Sequence, residues 1–380
     1  MIRIVADEKI PFLRGALERV ARVDYLAGDA ITRDDLRSAD ALITRTRTKC
    51  NRELLDGTPV QYIASATIGF DHIDTAYCGQ QGIQWTNAPG CNSSSVQQYL
   101  VSTILYLANI RNLDLKRMTL GVVGVGNVGA KVALAAEMLG MKVLLNDPPR
   151  ERTEGPQGFV PLNELLENSD IVTLHVPLHR SGQDRTWHML DESFLRRLKK
   201  GAVLINTSRG EVVDEIALLK GIRQDVFSGV VLDVFEGEPE IRPELLERIT
   251  LATPHIAGYS IDGKANGTKA SVRSVSRFFN LGLDHWEPEA LPVPAQAELL
   301  ADTTGKKTLE VLWELYRQTY DISADDQRLR ENPAAFESLR GSYPPRREPQ
   351  AYAIRLFQGY EEITSILEAL GFSVLGDYCA

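Results

Sequence analysis

Residues Leu120–Gly129 read LGVVGVGNVG, and this stretch decides the fold. An apolar run ends in Gly124-Val125-Gly126-Asn127-Val128-Gly129, a G-x-G-x-x-G, and NVGAKVALAAEMLG continues with helical spacing. Each glycine has its own task. Gly124 permits a tight turn, Gly126 lets a pyrophosphate approach the backbone, and Gly129 lets helix and strand pack closely. The N–H groups that open the helix, at Asn127 and Val128, bind the anion. The following strand, MKVLLND, ends in Asp147, roughly 20 residues after the first glycine, where an acid can accept from both ribose hydroxyls of a dinucleotide. Asp147 would also repel a 2′-phosphate, which favours NAD over NADP; the nearby Arg150 weakens that preference.

Working outward, IVTLHVP, GAVLINTS and FSGVVLDVF are further near-continuous apolar strands. They are separated by the helical segments LNELLENS, DESFLRRL and DEIALLKGI, the pattern of a parallel sheet buried on both faces. Toward the N-terminus, IRIVAD, ALIT, VQYIAS and IQWT read as strands. PFLRGALERVA has helical spacing, and HIDTAYCGQQG is a helix stopping at Gly82. VQQYLVSTILYLANI, from Val96, reads as a long helix with Ser93, Ser94 and Ser95 as N-caps. From Asp284 the texture changes. DHWEPEALPVPAQ reads as a linker, KTLEVLWELYRQTY as an amphipathic helix, YPPRREPQ as an interruption, and AYAIRLF, YEEITSILEALG and FSVL as strand, helix, strand. Such a unit is small for a free-standing domain, so docking or dimerisation is expected of it.

Composition excludes several classes of function. The 42 Lys and Arg against 51 Asp and Glu give a net charge of −9, against nucleic acid as the main partner. No apolar run approaches the roughly 20 residues that span a bilayer, and MIRIVADEKIPF is charged where a signal peptide needs an apolar core. Cys50, Cys78, Cys91 and Cys379 are scattered, as reduced thiols of a cytoplasmic protein are, and no metal site is expected of them.

An NAD enzyme that oxidises an alcohol needs a proton acceptor and a group that fixes the substrate. Three candidates follow the glycine loop at strand ends: Arg209 in NTSRGEVVD, Glu238 in LDVFEGEP and His255 in ATPHIAG. Taken in order, the glycine loop, LHVPL and these three strings are similar to the D-isomer-specific 2-hydroxyacid dehydrogenases over residues 1 to about 285. The resemblance implies that His255 is the general base in oxidation, that Glu238 orients and charges it, and that Arg209 holds the substrate carboxylate and C2 oxygen. Glu236 is the alternative to Glu238. Hydride would leave C2 for nicotinamide. The resemblance also places Val176 beside the adenosine, Thr207 and Ser208 along the nicotinamide ribose, Asp233 at the carboxamide, and the Gly258 backbone near the cofactor. Thr46, Thr67 and Tyr259 become substrate contacts. His175 reads as structural.

ALITRTRTKCNR holds Arg45, Arg47, Lys49 and Arg52 and no acid, a basic island suited to a phosphorylated hydroxyacid. Arg45 or Arg47 is expected to help bind the phosphate, and Lys264 is a weaker candidate. The expected fold class is α/β. A Rossmann NAD-binding domain (96–255) is inserted in a flavodoxin-like substrate domain (1–95 and 256–286), and a small α+β C-terminal dimerisation domain (287–380) follows. The apolar face of VLWELY would bury against the partner of a homodimer. Two other readings stay open: the same chemistry on another D-2-hydroxyacid such as 3-phosphoglycerate or D-lactate, and an NAD-sensing binding protein like the related corepressors.

Overall fold

The structure, a computed structural model, describes residues 1–358 and 361–376, so Cys379 lies outside the described residues. The chain is α/β, and every paired strand in it is parallel. It divides into two compact units, 1–92 with 260–292 and 93–259 with 293–380.

In the first unit β1 (Ile2–Asp7), β2 (Ala21–Leu26), β3 (Ala41–Thr44), β4 (Tyr62–Ser65) and β5 (Gln84–Thr86) form one sheet in the order β2-β1-β3-β4-β5. That is the flavodoxin-like order. Alternate side chains of β1 enter two separate cores. Ile4 packs with Leu13, Leu17, Ile43 and Val272, whereas Val5 packs with Leu36, Leu42 and Ile63. The returning Ile261–Phe279 helix closes the first core with Val272 and Val275.

Two sequence expectations fail in this unit. PFLRGALERVA is no helix but a series of turns, and its last residue opens β2, a strand the periodicity hid. Phe12 and Gly15 sit at φ 62° and 87°, which ends a right-handed helix before it starts. Leu13 and Leu17 are still fully buried, so the apolar spacing reports burial rather than helix.

In the second unit β6 (Thr119–Val123), β7 (Lys142–Asn146), β8 (Ile171–Leu174), β9 (Ala202–Asn206), β10 (Phe227–Leu232) and β11 (Leu251–Ala252) run in the order β11-β10-β9-β8-β6-β7. The order reverses at β6, and the crevice beyond its carboxyl end is where such sheets bind ligands. Where a Rossmann sheet carries one more strand beside β7, Val160 N–H donates to the Leu145 carbonyl and the Val160 carbonyl accepts from Asn146 Nδ2. The long helix runs Ser93–Arg111, so the three serines lie in its first turn instead of capping it.

The C-terminal segment adds β12 (Glu298–Asp302), unread in the sequence, β13 (Ala353–Phe357) and β14 (Ser373–Leu375). Their sheet, β12-β13-β14, is parallel, with helix Glu361–Ala369 crossing from β13 to β14. This is a βαβ arrangement rather than the α+β one expected. The VLWELY face is also corrected. Val311, Leu312, Leu315 and Tyr316 are buried inside the chain, in the core that holds Leu100, Ile104 and Leu107 of the Ser93–Arg111 helix. Burying each such aliphatic side chain contributes about 1.5–3 kcal/mol, enough to fix this segment to the nucleotide-type sheet without a partner. On the other face of that sheet, Leu329 and Phe336 join Phe235 and Leu245. Among the described residues no helix is long and apolar enough to cross a membrane.

Candidate active site

The glycine loop is built as its spacing requires. Gly124 has φ 87°, and a Cβ there would meet the His175 carbonyl oxygen at 2.6 Å and Val176 Cγ1 at 2.9 Å. A Cβ on Gly129 would meet the Gly124 carbonyl oxygen at 2.0 Å. Gly126 caps helix Asn127–Met138 and faces open space, which leaves its side free for an anion. Asp147 follows β7, accepts from Val125 N–H at 2.8 Å and caps the next helix through Arg150 N–H. Arg150, the residue that clouded the cofactor preference, is chelated by both Glu154 oxygens at 2.7 Å. Its charge is therefore matched within its own helix, which restores the bias of Asp147 against a 2′-phosphate.

At the neighbouring strand ends, Thr207 carries a buried hydroxyl with no hydrogen-bond partner, and Ser208 donates to the Asn206 side chain. An orphaned hydroxyl beside an open glycine cradle fits a dinucleotide that brings its own hydroxyl partners. His175 is half-buried, with Nε2 3.0 Å from Thr173 Oγ1, and desolvation pushes its imidazole down to about 3, so it is neutral.

Arg209 follows β9 at the start of a short 3-10 turn. Gly210 allows that turn to abut the loop after β10, because a Cβ there would lie 2.0 Å from the Phe235 carbonyl oxygen. The β10 loop is moored from below. Buried Glu215 accepts from Glu236 N–H at 2.8 Å and from Arg242 Nε at 3.0 Å. Glu238 then reaches His255, whose Nδ1–H donates to Oε1 at 2.5 Å. Glu236 pairs instead with His188 at 2.7 Å, a contact the sequence reading missed, so the geometry separates the two acids. Burial alone would raise the Glu238 carboxyl. The hydrogen bond and charge of His255, with the charge of Arg340, outweigh it and hold the group below its ordinary range.

His255 has φ 55°, a strained conformation held because its N–H donates to the Asp233 carbonyl at 2.8 Å. The Asp233 side chain is fully buried and accepts from Thr253 Oγ1, Ile256 N–H and Ala257 N–H at 2.7, 2.7 and 2.9 Å. Burial pushes its carboxyl up to about 6 against the pull of these donors and of His255. The Asp233 carboxylate thus holds the His255 turn through three donors, beside the cofactor role that the resemblance implies for it. Gly258 and Tyr259 follow, and the Arg340 guanidinium lies 5.4 Å from the Tyr259 ring. Arg340 and Arg346 had no sequence signal beyond their basic, proline-broken surroundings.

In the first unit, Arg45 is not a free cation. Its Nε pairs at 3.1 Å with Asp7, which is 1% exposed on the adjacent β1. The island thus has an acid that the linear sequence does not show. Thr46, Arg47 and Lys49 are exposed beside it. Thr67 shares a 2.9 Å hydrogen bond with Ser65, and Lys264 lies on the Ile261–Phe279 helix.

Residues 98–257 match the family described as D-isomer specific 2-hydroxyacid dehydrogenase, NAD binding domain, and residues 291–371 match a domain of unknown function. An erythronate-4-phosphate dehydrogenase from Bacteroides thetaiotaomicron is 49% identical over 354 residues, covering 93% of this chain and 99% of that protein. A D-lactate dehydrogenase from Aquifex aeolicus, solved with NAD and lactic acid, superposes with a TM-score of 0.60 at 29% identity, over 74% of this chain and 96% of that one. An NAD-bound 3-phosphoglycerate dehydrogenase from Entamoeba histolytica gives 0.64 at 25% identity, over 77% and 99%.

Proposed function

The chain belongs to the D-isomer-specific 2-hydroxyacid dehydrogenase family, and from that premise we propose that it oxidises 4-phospho-D-erythronate to 2-oxo-3-hydroxy-4-phosphobutanoate, a step of pyridoxal phosphate biosynthesis. It is an NAD-dependent oxidoreductase, and NAD, when bound, would supply the hydride acceptor. The observation that carries the chemistry is the 2.5 Å His255–Glu238 hydrogen bond, set at strand ends of the sheet that carries the glycine loop. The relatives' name supplies the substrate.

The roles follow from the geometry of each group. With Nδ1–H given to Glu238, His255 has Nε2 left to take the C2 hydroxyl proton. Glu238 stays ionised and balances the imidazolium that results. Arg209 offers a planar fork for the carboxylate and the developing C2 oxygen. Gly124, Gly126, Asn127, Val128 and Gly129 hold the pyrophosphate, Asp147 the adenosine ribose, and Thr207 and Ser208 the nicotinamide ribose. Val176 and Gly258 shape the walls. Asp233 acts on the cofactor side through the backbone it fixes. Thr46, Thr67 and Tyr259 remain substrate contacts. Arg45, which also pairs with Asp7, or Arg47 helps to bind the substrate phosphate.

The test is initial-rate hydride transfer on 4-phospho-D-erythronate, D-erythronate, 3-phosphoglycerate and D-lactate, with the product trapped. The phosphorylated four-carbon acid is expected to exceed D-erythronate and D-lactate in kcat/KM by about 10²–10⁴-fold, since a cationic site built for a phosphate is left unmatched by an acid that lacks one, and to exceed 3-phosphoglycerate by a smaller factor. Faster turnover of another acid in the panel overturns the assignment.

We also propose a cytoplasmic homodimer. Cys50, Cys78 and Cys91 are free thiols, as a reducing compartment maintains. The outer face of the β12-β13-β14 sheet exposes Leu300 and Phe357, replacing VLWELY as the surface for a second copy. Light scattering of the purified chain is expected to give the mass of two chains, and a single-chain mass at micromolar concentration refutes the dimer.

A further inference from the structure

The turn that carries His255 is gripped from two sides. The Asp233 carboxylate takes the N–H groups of Ile256 and Ala257, at 2.7 and 2.9 Å. The carbonyls of the same two residues receive Arg346 Nη2, at 3.2 Å for Ile256 and 2.6 Å for Ala257. Arg346 Nη2 also reaches Ser95 Oγ, which itself donates to the Ala257 carbonyl at 2.9 Å. Each of the two residues after His255 is therefore engaged at both its N–H and its carbonyl.

Arg346 is an unusual residue to find there. It is 5% exposed, and its Nε and Nη1 have no hydrogen-bond partner. The rings of Tyr320 and Tyr343 lie 4.4 and 5.8 Å from its guanidinium carbon. Asp325, an acid of its own segment, is already taken by Tyr343 and Arg328, at 2.6 and 2.8 Å. A buried cation without an ion-pair partner is costly, and an apolar side chain of similar volume commonly serves stability better. Stability is thus a poor reason for an arginine at this place. Its two carbonyl bonds act on a turn whose first residue, His255, is already in a strained conformation at φ 55°.

We propose that Arg346 is a positioning residue for His255: by clamping the Ile256 and Ala257 carbonyls opposite Asp233, it holds the imidazole in the orientation that meets Glu238 and the substrate hydroxyl. This gives the C-terminal segment, matched only to a domain of unknown function, a share in the chemistry of the nucleotide-type sheet it packs on. The proposal rests on the dehydrogenase reading above.

The test uses the full chain with Arg346→Met and Arg346→Lys. Measured for each are kcat and KM for the hydroxyacid, NADH affinity by fluorescence, the melting temperature, and the downfield proton resonance of the His255 Nδ1–H bound to Glu238. For Arg346→Met, kcat is expected to fall about 100-fold, the size of effect that misplacing a reacting group produces. KM and the NADH affinity stay within about threefold, because the lost contacts touch neither ligand. The melting temperature does not fall, and the downfield resonance broadens or vanishes. The lysine, which keeps the charge but reaches only one carbonyl, recovers part of kcat. A kcat for Arg346→Met within about threefold of wild type overturns the proposal. So does a loss of kcat matched in both variants by lost melting temperature and lost NADH binding. If the unmodified chain turns over no hydroxyacid, the dehydrogenase reading fails, and the resonance alone then decides whether Arg346 orients His255.

Discussion

His255→Ala lowers kcat by about 10³–10⁴-fold while leaving NADH binding within a few-fold of the unmodified chain. Two other histidines of the second unit are engaged elsewhere. His175 is neutral and hydrogen-bonded inside the sheet, and His188 is committed to Glu236. The lost imidazole ring also releases Glu238, which then keeps a carboxylate within a partly buried loop without its principal donor. The cofactor loop is untouched, because Gly124–Gly129 is shaped by His175, Val176 and its own backbone. Single-turnover absorbance at the NADH band separates the two effects. Full activity in this variant, or equal loss of activity and NADH binding, would remove His255 from the reaction. Loss of turnover with retained binding also excludes the sensor reading as the protein's whole task.

Much of this site was legible because its residues sit where a strand ends, and strand ends are marked by local chemistry. The glycine loop, Asp147, Arg209 and His255 each follow an apolar run at once, so a linear reading finds them. What escaped depends on contacts between distant segments. The Asp7–Arg45 pair forms only because β1 and β3 are neighbours in the sheet, so the basic island looked unopposed. The burial of VLWELY inside the chain follows from its fit to the Ser93–Arg111 helix, and amphipathic spacing cannot say which apolar surface will cover a helix. The turns over residues 8–20 carry helix-like spacing because Leu13 and Leu17 both point into one core, although positive φ at Phe12 and Gly15 forbids the helix. Arg346 had the least signal of all. It stands in YPPRREPQ, where prolines suggest a surface interruption, yet it is buried.

The choice between Glu236 and Glu238 was also beyond the sequence, and the geometry turns it into an expected result. Glu238→Gln should reduce kcat by about 10³-fold, whereas Glu236→Gln should change it by less than about tenfold. The glutamine keeps the size of the side chain, so packing near Phe235 is preserved and the effect is electrostatic. It removes the negative charge that offsets the imidazolium formed when His255 accepts the hydroxyl proton. It also offers an amide that can present N–H toward Nδ1, which favours the opposite tautomer and puts the proton on Nε2, the atom that must receive one. Glu238→Asp keeps the charge but withdraws it by one methylene from a 2.5 Å contact, and should fall between the two. Arg340 sharpens the contrast. Its positive charge helps to keep Glu238 ionised, and in the glutamine variant that charge is no longer offset by the carboxylate. Steady-state kcat and KM for the three variants decide the matter. The assignment fails if Glu236→Gln is the more damaging change, since His188 and not His255 would then be the partner that matters.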